Sequence, residues 1–375
     1  MSSRLLATLP LLPAFLLAAC SGDPEYDPET SPLAESAYEG VVEEPNVSRE
    51  ALARRVDALF AEDVAETRAV VVVHDGATIV ERYAPGYDAE TRFVSWSMAK
   101  TVTGVLIGML VTDGLLSLDE SAPVPAWTRP GDPRGEITLR QLLQMRSGLT
   151  HTEAGDPIYE SDEVRMLFTD GRDDMAAYAE AQSLEADPGE KFEYSSNTTV
   201  ILADIAARTL ATADTPEVRR RAVDDYLRTR LFGPLGMDSM VPEYDASGTL
   251  VGGSLMHATA RDWAKFGEFL RRGGNVGGVQ VVPRRWIDFM ITPSPRAPDY
   301  GAQIWLNRPS GTERKSLFPD DAPQSAFAMI GHLGQYVFVS PSQQLTVVRL
   351  GKTPDGDLRN GVVRRIARLT QLFQN

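Results

Sequence analysis

The sequence predicts an α+β fold: one antiparallel sheet formed by both chain ends, flanked by helices, with a largely helical subdomain inserted between them. Three observations predict it. Two strand-like runs, residues 69–74 and 78–83, meet at Asp75-Gly76, a favourable two-residue hairpin turn. Three more runs, 327–330, 336–340 and 345–350, crowd the C-terminal end. Between about 115 and 245 the pattern is mostly helical with polar loops. Strands at both ends with helices between them assemble most simply as one interrupted sheet.

The elements follow in order. Residues 1–19 carry one basic residue, Arg4, then an apolar run broken by Pro10 and Pro13. That run is too short for a membrane span and suits a secretory signal. It ends in Leu17-Ala18-Ala19-Cys20, small residues before the single cysteine of the chain. This resembles a bacterial lipoprotein signal, so Cys20 is expected to be lipidated and to anchor the protein to a membrane of the cell envelope. A lone cysteine offers no internal disulfide and no cysteine metal cluster.

Residues 20–47 read as an acidic, disordered tether. Asp23, Glu25, Asp27, Glu29, Glu35, Glu39, Glu43 and Glu44 lie there, with prolines and no Lys or Arg. They carry about half of the formal net charge of -15. That balance excludes nucleic acid as a partner, because phosphate binding needs a basic face. The remainder, 48–375, is expected to be the functional domain. Its composition, 43% hydrophobic and 24% charged over the chain, supports a large core.

A helix is expected from the N-cap Ser48 to about Glu66, before the hairpin. Another runs from about Ser97 to Asp113, stopped by Gly114. At the far end Leu358, Val362, Ile366, Leu369 and Phe373 recur at helical spacing.

The chemistry gathers at three places. Ser97 and Lys100 are three apart and share one helix face. Ser97 would occupy a first turn, where unpaired N–H groups and the helix dipole favour developing negative charge. A lysine in an apolar pocket can lose its proton near neutral pH and then accept that of a serine. The pattern also fits a solvated lysine near a helix start. Lysine is rare here, however: Lys100, Lys191, Lys265, Lys315 and Lys352 stand against a background of arginine. Tyr194-Ser195-Ser196-Asn197 opens a helical run, and a tyrosine there can relay protons. It equally fits a core tyrosine. Gly331-His332-Leu333-Gly334-Gln335 sits between two strand-like runs, where glycines mark a bend or a close backbone approach. No G-x-S-x-G elbow exists, which disfavours an α/β-hydrolase. His74, His151, His257 and His332 show no metal-ligand spacing, so neither metal nor cofactor is expected.

The order S-x-x-K, Y-S-S, then H-x-G before a terminal helix resembles the serine β-lactamase-like hydrolases. These include class C β-lactamases, D-alanyl-D-alanine peptidases, esterases and 6-aminohexanoate-dimer hydrolases. Val73-His74-Asp75-Gly76, Pro130-Gly131-Asp132-Pro133-Arg134, Leu142-Leu143-Gln144-Met145-Arg146-Ser147-Gly148-Leu149, Gly252-Gly253-Ser254 and Arg349-Leu350-Gly351 are similar to the last branch. The resemblance implies a β-lactamase/transpeptidase-like fold and a small ester or amide substrate. It implies Ser97 as the acylated nucleophile, Lys100 as its base and Tyr194 as a proton carrier. The backbone N–H groups of Ser97 and Gln335 would form the oxyanion hole. His332, Gly334 and Asn197 would face the substrate. Two departures weigh against β-lactam substrates. Asn197 is three residues after Tyr194, not two, and the third motif is His-Leu-Gly instead of Lys-Thr-Gly. A β-lactamase, a D-alanyl-D-alanine peptidase and a slowly turning-over envelope binding protein are the alternatives.

Overall fold

An uninterrupted apolar run such as Ala69 to Val73 suits a strand buried on both faces. The computed structural model, which describes residues 32–61 and 66–373, places it at the heart of a six-stranded antiparallel sheet. Cys20 and the expected signal sequence lie outside the described residues.

In chain order the strands are β1 (Glu66–His74), β2 (Ala77–Tyr83), β3 (Phe93–Val94), β4 (Val241–Pro242), β5 (Met256–Ala258), β6 (Asn275–Val276), β7 (Val279–Gln280), β8 (Trp305–Leu306), β9 (Phe327–Gly331), β10 (Gln335–Ser340) and β11 (Leu345–Lys352). The helices are α1 (Arg49–Leu59), α2 (Ala99–Thr112), α3 (Leu139–Leu143), α4 (Asp162–Phe168), α5 (Met175–Glu180), α6 (Ser196–Leu210), α7 (Pro216–Leu227), α8 (Gly233–Leu235), α9 (Ala260–Arg271), α10 (Arg284–Met290) and α11 (Asp357–Thr370). The large sheet has the order β2-β1-β11-β10-β9-β8, so the two chain ends meet where β1 pairs with β11. The β1–β2 turn has both Asp75 and Gly76 at positive φ, as a two-residue hairpin demands.

Strand side chains alternate between faces. Ala69, Val71, Val73, Val337, Val339, Val348 and Leu350 join the main core with Trp263, Phe266 and Leu270 of α9. Gly267 lets α9 settle there: a Cβ would lie 2.6 Å from Thr346 and 2.8 Å from Val337. The alternate set, including Val70, Val72, Phe338 and Val347, is buried too. On that side α1 packs against α11. Arg82 of β2 pairs with Asp57 of α1 at 2.9 Å, and Arg359 of α11 donates to Tyr336 Oη at 3.0 Å. Between the sheet halves lie α2 to α8, of which α3 to α8 fall within about 115–245. Three features escaped the sequence reading: the short β3-β5-β4 sheet, the β6-β7 pair and the edge strand β8.

The tether is shorter than expected. Residues 35–38 form a 3-10 turn, Ala37 is fully buried, and Val41 bridges Val80. Val42 N–H donates to Ile79 at 3.0 Å, and Glu81 N–H donates to Gly40 at 2.9 Å. A Cβ on Gly40 would lie 1.9 Å from the Glu81 carbonyl oxygen. Carboxylates and prolines suggested disorder, but Ala37, Gly40 and Val41 suffice to dock this segment on the open edge of β2. The expected α1 also ends sooner, at Leu59.

Candidate active site

Ser97 sits where β3 turns into α2. Its preceding strand is pinned to β5: Ser95 N–H donates to Met256 at 2.7 Å, and Met256 N–H donates to Ser95 Oγ at 3.1 Å. Trp96 then takes φ +45°, a left-handed conformation that costs a bulky residue about 1–3 kcal/mol. Ser95 Oγ donates to the Trp96 carbonyl at 2.9 Å and holds the turn. Ser97 follows, half-buried, in the single 3-10 turn Trp96–Met98 that heads α2, at the positive end of the helix dipole. The helix behind it, from Ala99 to Leu110, is wholly buried.

Lys100 is 1% exposed. Its Nζ donates to Ser97 Oγ at 2.9 Å, to Ser196 Oγ at 2.7 Å and to the Gly253 carbonyl at 2.9 Å. Three acceptors around one nitrogen are the complement of an ammonium. The expected apolar lysine pocket is therefore corrected. Burial pulls the Lys100 pKa down, but the facing Tyr194, Glu153 and Glu163 outweigh it and hold the pKa above its ordinary value.

The carboxylates were missed in the sequence. Glu153 lies 3.8 Å from Lys100 Nζ. It accepts from Ser196 Oγ at 2.7 Å and from Ser196 N–H at 2.8 Å, and its other contact is His151 Nε2 at 2.6 Å. Burial raises its pKa, yet Lys100, His151 and Ser196 together hold it well below the usual range. Glu163, in the first turn of α4, lies 3.1 Å from Ser196 Oγ and 3.4 Å from Ser254 Oγ. Burial, then the charge of Glu153, push its carboxyl up to about 7. The only sequence signal was their position just before and inside a short helix, which any solvated glutamate shares.

Tyr194 precedes Ser195, the N-cap of α6, whose Oγ accepts from Thr198 N–H at 3.1 Å. Its ring lies 4.8 Å from Lys100 Nζ and packs on Trp305 at 5.1 Å and Tyr300 at 5.8 Å. Its side chain lies beside Ser97 and Lys100; burial raises its pKa above the ordinary value although the Lys100 charge opposes this, so it rests as the neutral phenol. Tyr300 and Trp305 were also missed. They form an aromatic wall that Arg314 extends, its guanidinium 5.7 Å from Trp305 and paired with Asp299 at 2.5 Å.

The third motif is the tip of the β9–β10 hairpin. Leu333 and Gly334 take positive φ there. The tip is fixed from inside by the Gln335 side chain, whose Nε2 donates to the carbonyls of His332 at 3.0 Å and Gly351 at 2.7 Å. The backbone of Gln335 pairs with Gly331. A Cβ on Gly331 would stand 2.3 Å from the Ser95 carbonyl oxygen, so the hairpin touches the nucleophile turn backbone to backbone. His332 is exposed, its ring edge-on to Trp96 at 5.3 Å.

The structure thus brings Ser97, Lys100 and Tyr194 together and sets His332 and Gln335 beside them. It does not bring Asn197 or Gly334 into position to grip a substrate. Both amide atoms of Asn197 are sealed from solvent without a partner. Residue 196 is the one two after Tyr194, and on α6 it is 196, not 197, that bonds Lys100. Gly334 is buried, and its carbonyl accepts from Arg349 Nη1 at 2.8 Å. Arg146 does not supply charge from the surface either: it is half-buried and donates to Gly189 and Gln144.

Comparison with known proteins agrees with this fold. Residues 52–371 match the beta-lactamase family model. A 6-aminohexanoate-dimer hydrolase from Paenarthrobacter ureafaciens is 25% identical over 332 residues, covering 84% of this chain and 81% of the relative. Among solved structures, a family VIII carboxylesterase aligns with a TM-score of 0.64 at 16% identity, over 88% of this chain and 99% of that one. A penicillin-binding protein homologue from Caulobacter crescentus aligns with a TM-score of 0.62 at 17% identity, over 89% and 98%. The fold, the motif order and the family match converge: the chain belongs to the beta-lactamase family of serine hydrolases.

Proposed function

We propose that this protein hydrolyses short esters or small linear amides through an acyl-enzyme on Ser97. One observation carries the reading: Lys100 Nζ stands 2.9 Å from Ser97 Oγ, inside a polar cage and against the Tyr194 ring. Ser97 attacks the carbonyl carbon and yields its proton to Lys100. The backbone N–H groups of Ser97 and Gln335 receive the developing oxyanion. Tyr194, a neutral phenol, protonates the departing alcohol or amine, and in deacylation the same groups activate water.

Substrate preference rests on what surrounds the nucleophile. Recognition of a β-lactam carboxylate calls for a fixed cation. The third motif offers His332 in place of the lysine of the Lys-Thr-Gly pattern, and Asn197 is sealed from solvent. An ester has a better leaving group and tolerates looser anchoring. The 6-aminohexanoate-dimer hydrolase relative supports the linear-amide reading.

A fluorophosphonate should label the peptide containing Ser97, and Ser97→Ala should abolish both labelling and turnover. kcat/KM should be higher for a short aryl ester than for a cephalosporin under the same conditions. A label elsewhere removes Ser97 from the mechanism, and a higher value for the cephalosporin makes the protein a β-lactamase.

A further inference from the structure

Behind Lys100 stand two carboxylates that the acyl-enzyme chemistry leaves unused. Both meet one hydroxyl: Ser196 Oγ lies 2.7 Å from Glu153 and 3.1 Å from Glu163. The same oxygen accepts from Lys100 Nζ at 2.7 Å, and Nζ reaches Ser97 Oγ at 2.9 Å. A continuous hydrogen-bonded chain therefore joins Ser97 to Glu163.

The chain answers a chemical need. An ammonium has no lone pair, so Lys100 can take the serine proton only as one of its own leaves. The Gly253 carbonyl is too weak a base to keep a proton, and Tyr194 already carries one. Ser196 is the remaining exit, and a hydroxyl passes a proton on only to a base. We infer that Glu163, acting through Ser196 and Lys100, receives the proton released when Ser97 attacks. This rests on Ser97 being the nucleophile.

The step balances. The Ser97 Oγ–carbon bond forms as the carbonyl π pair moves onto oxygen. The Ser97 proton passes to Lys100 Nζ, an Nζ proton to Ser196 Oγ, and the Ser196 hydroxyl proton to the Glu163 carboxylate. Lys100 ends as it began, an ammonium, and Glu163 ends as the neutral acid. When the tetrahedral intermediate collapses, Tyr194 protonates the leaving group and is refilled from Lys100. Lys100 is refilled from Ser196, and Ser196 from Glu163.

Glu153 is unsuited to the task. It also binds Ser196 N–H at 2.8 Å and His151 Nε2 at 2.6 Å, contacts that favour its ionised form. Glu163 is faced by Lys100 from α2, by His151 and Glu153 from the loop before α4, by Tyr194 and Ser196 at the start of α6, and by Ser254 before β5. Two carboxylates share this buried site beside Lys100, so the pair binds a proton readily, and Glu163, pushed up to about 7, is where it rests. Above that pH the carboxylate is free and the relay is open. Below it the acceptor is already filled. Glu163 touches no substrate; it is a positioning residue that decides where the proton waits.

The test compares Glu163→Gln with wild type on an aryl ester from about pH 5.5 to about pH 9, with active Ser97 counted by fluorophosphonate. Wild-type kcat/KM should rise through about pH 7. The Gln variant should lose about 10- to 100-fold on the alkaline side and lose that rise, with KM little changed. Glu163→Asp should keep a rise at a displaced midpoint. A Gln variant that retains the wild-type rise overturns the inference. If it does not fold, Ser196→Ala, which spares both carboxylates, must flatten the rise instead, and its persistence overturns the inference equally. Full turnover in Ser97→Ala would be a separate result, defeating the nucleophile assignment and this relay with it.

Discussion

An ammonium whose three donors are all engaged is a demanding group to replace. At Lys100 each acceptor lies in a different direction, on Ser97, Ser196 and Gly253. Arginine would keep the charge but not the geometry, and a guanidinium does not give up its proton to act as a base near neutral pH. Lys100→Arg should therefore lose far more than tenfold in ester kcat/KM, tenfold being about 1.4 kcal/mol. Steady-state turnover, with thermal unfolding as a control for folding, checks this; activity within tenfold would reduce Lys100 to a tether for the serine. Lys100 was legible from the sequence because lysine is scarce and lies three after a serine. Its ionisation was not. That depends on Glu153 and Glu163, which reach it from other elements, and spacing along one helix carries no record of them. Ser196 was visible only as part of the Tyr194-Ser195-Ser196 motif; its bond to Lys100 spans two helices and leaves no trace in spacing.

Among the elements, the β9–β10 hairpin carries the tightest constraint on the site. Gly331 is the point where sheet and nucleophile turn meet, and no side chain fits between them. In Gly331→Ala the added methyl would press against the Ser95 carbonyl oxygen, and the hairpin has to retreat. A retreat of about 1 Å can cost roughly 100-fold in rate through misplacement alone. The variant should stay folded by circular dichroism while ester kcat/KM falls by about 10- to 100-fold. An unchanged rate would mean that the hairpin does not shape the reacting geometry. The strands of this hairpin, like β1, β2 and β11, were readable from apolar runs and turn residues. The two-residue β3, β4 and β8 were not, because pairs that short have no periodicity; their partners, not their composition, make them strands. The aromatic wall of Tyr300 and Trp305 escaped for the same reason, since aromatics outside any periodic run gain meaning only where the chain returns to Tyr194.

For the molecule as a whole, the meeting of both chain ends in one sheet was foreseen, and the register between β1 and β11 bears it out. The foreseen tether gave way at its inner end, because three or four residues with small or apolar side chains outweighed the surrounding charge. We propose that the outer end is held by a lipid on Cys20. Full-length protein should then sediment with membranes, and Cys20→Ser should appear in the soluble fraction or keep its leader; soluble wild type cleaved elsewhere would remove the anchor. The docked segment has one more consequence. An unpaired strand edge can recruit any other extended chain, including another copy of itself, and so seed aggregation. Here Gly40 and Val42 already occupy the backbone groups that β2 turns outward, and the opposite edge is the two-residue β8. The docked segment thereby serves as a selvedge: it finishes the cloth of the sheet so that it does not knit onto its neighbours.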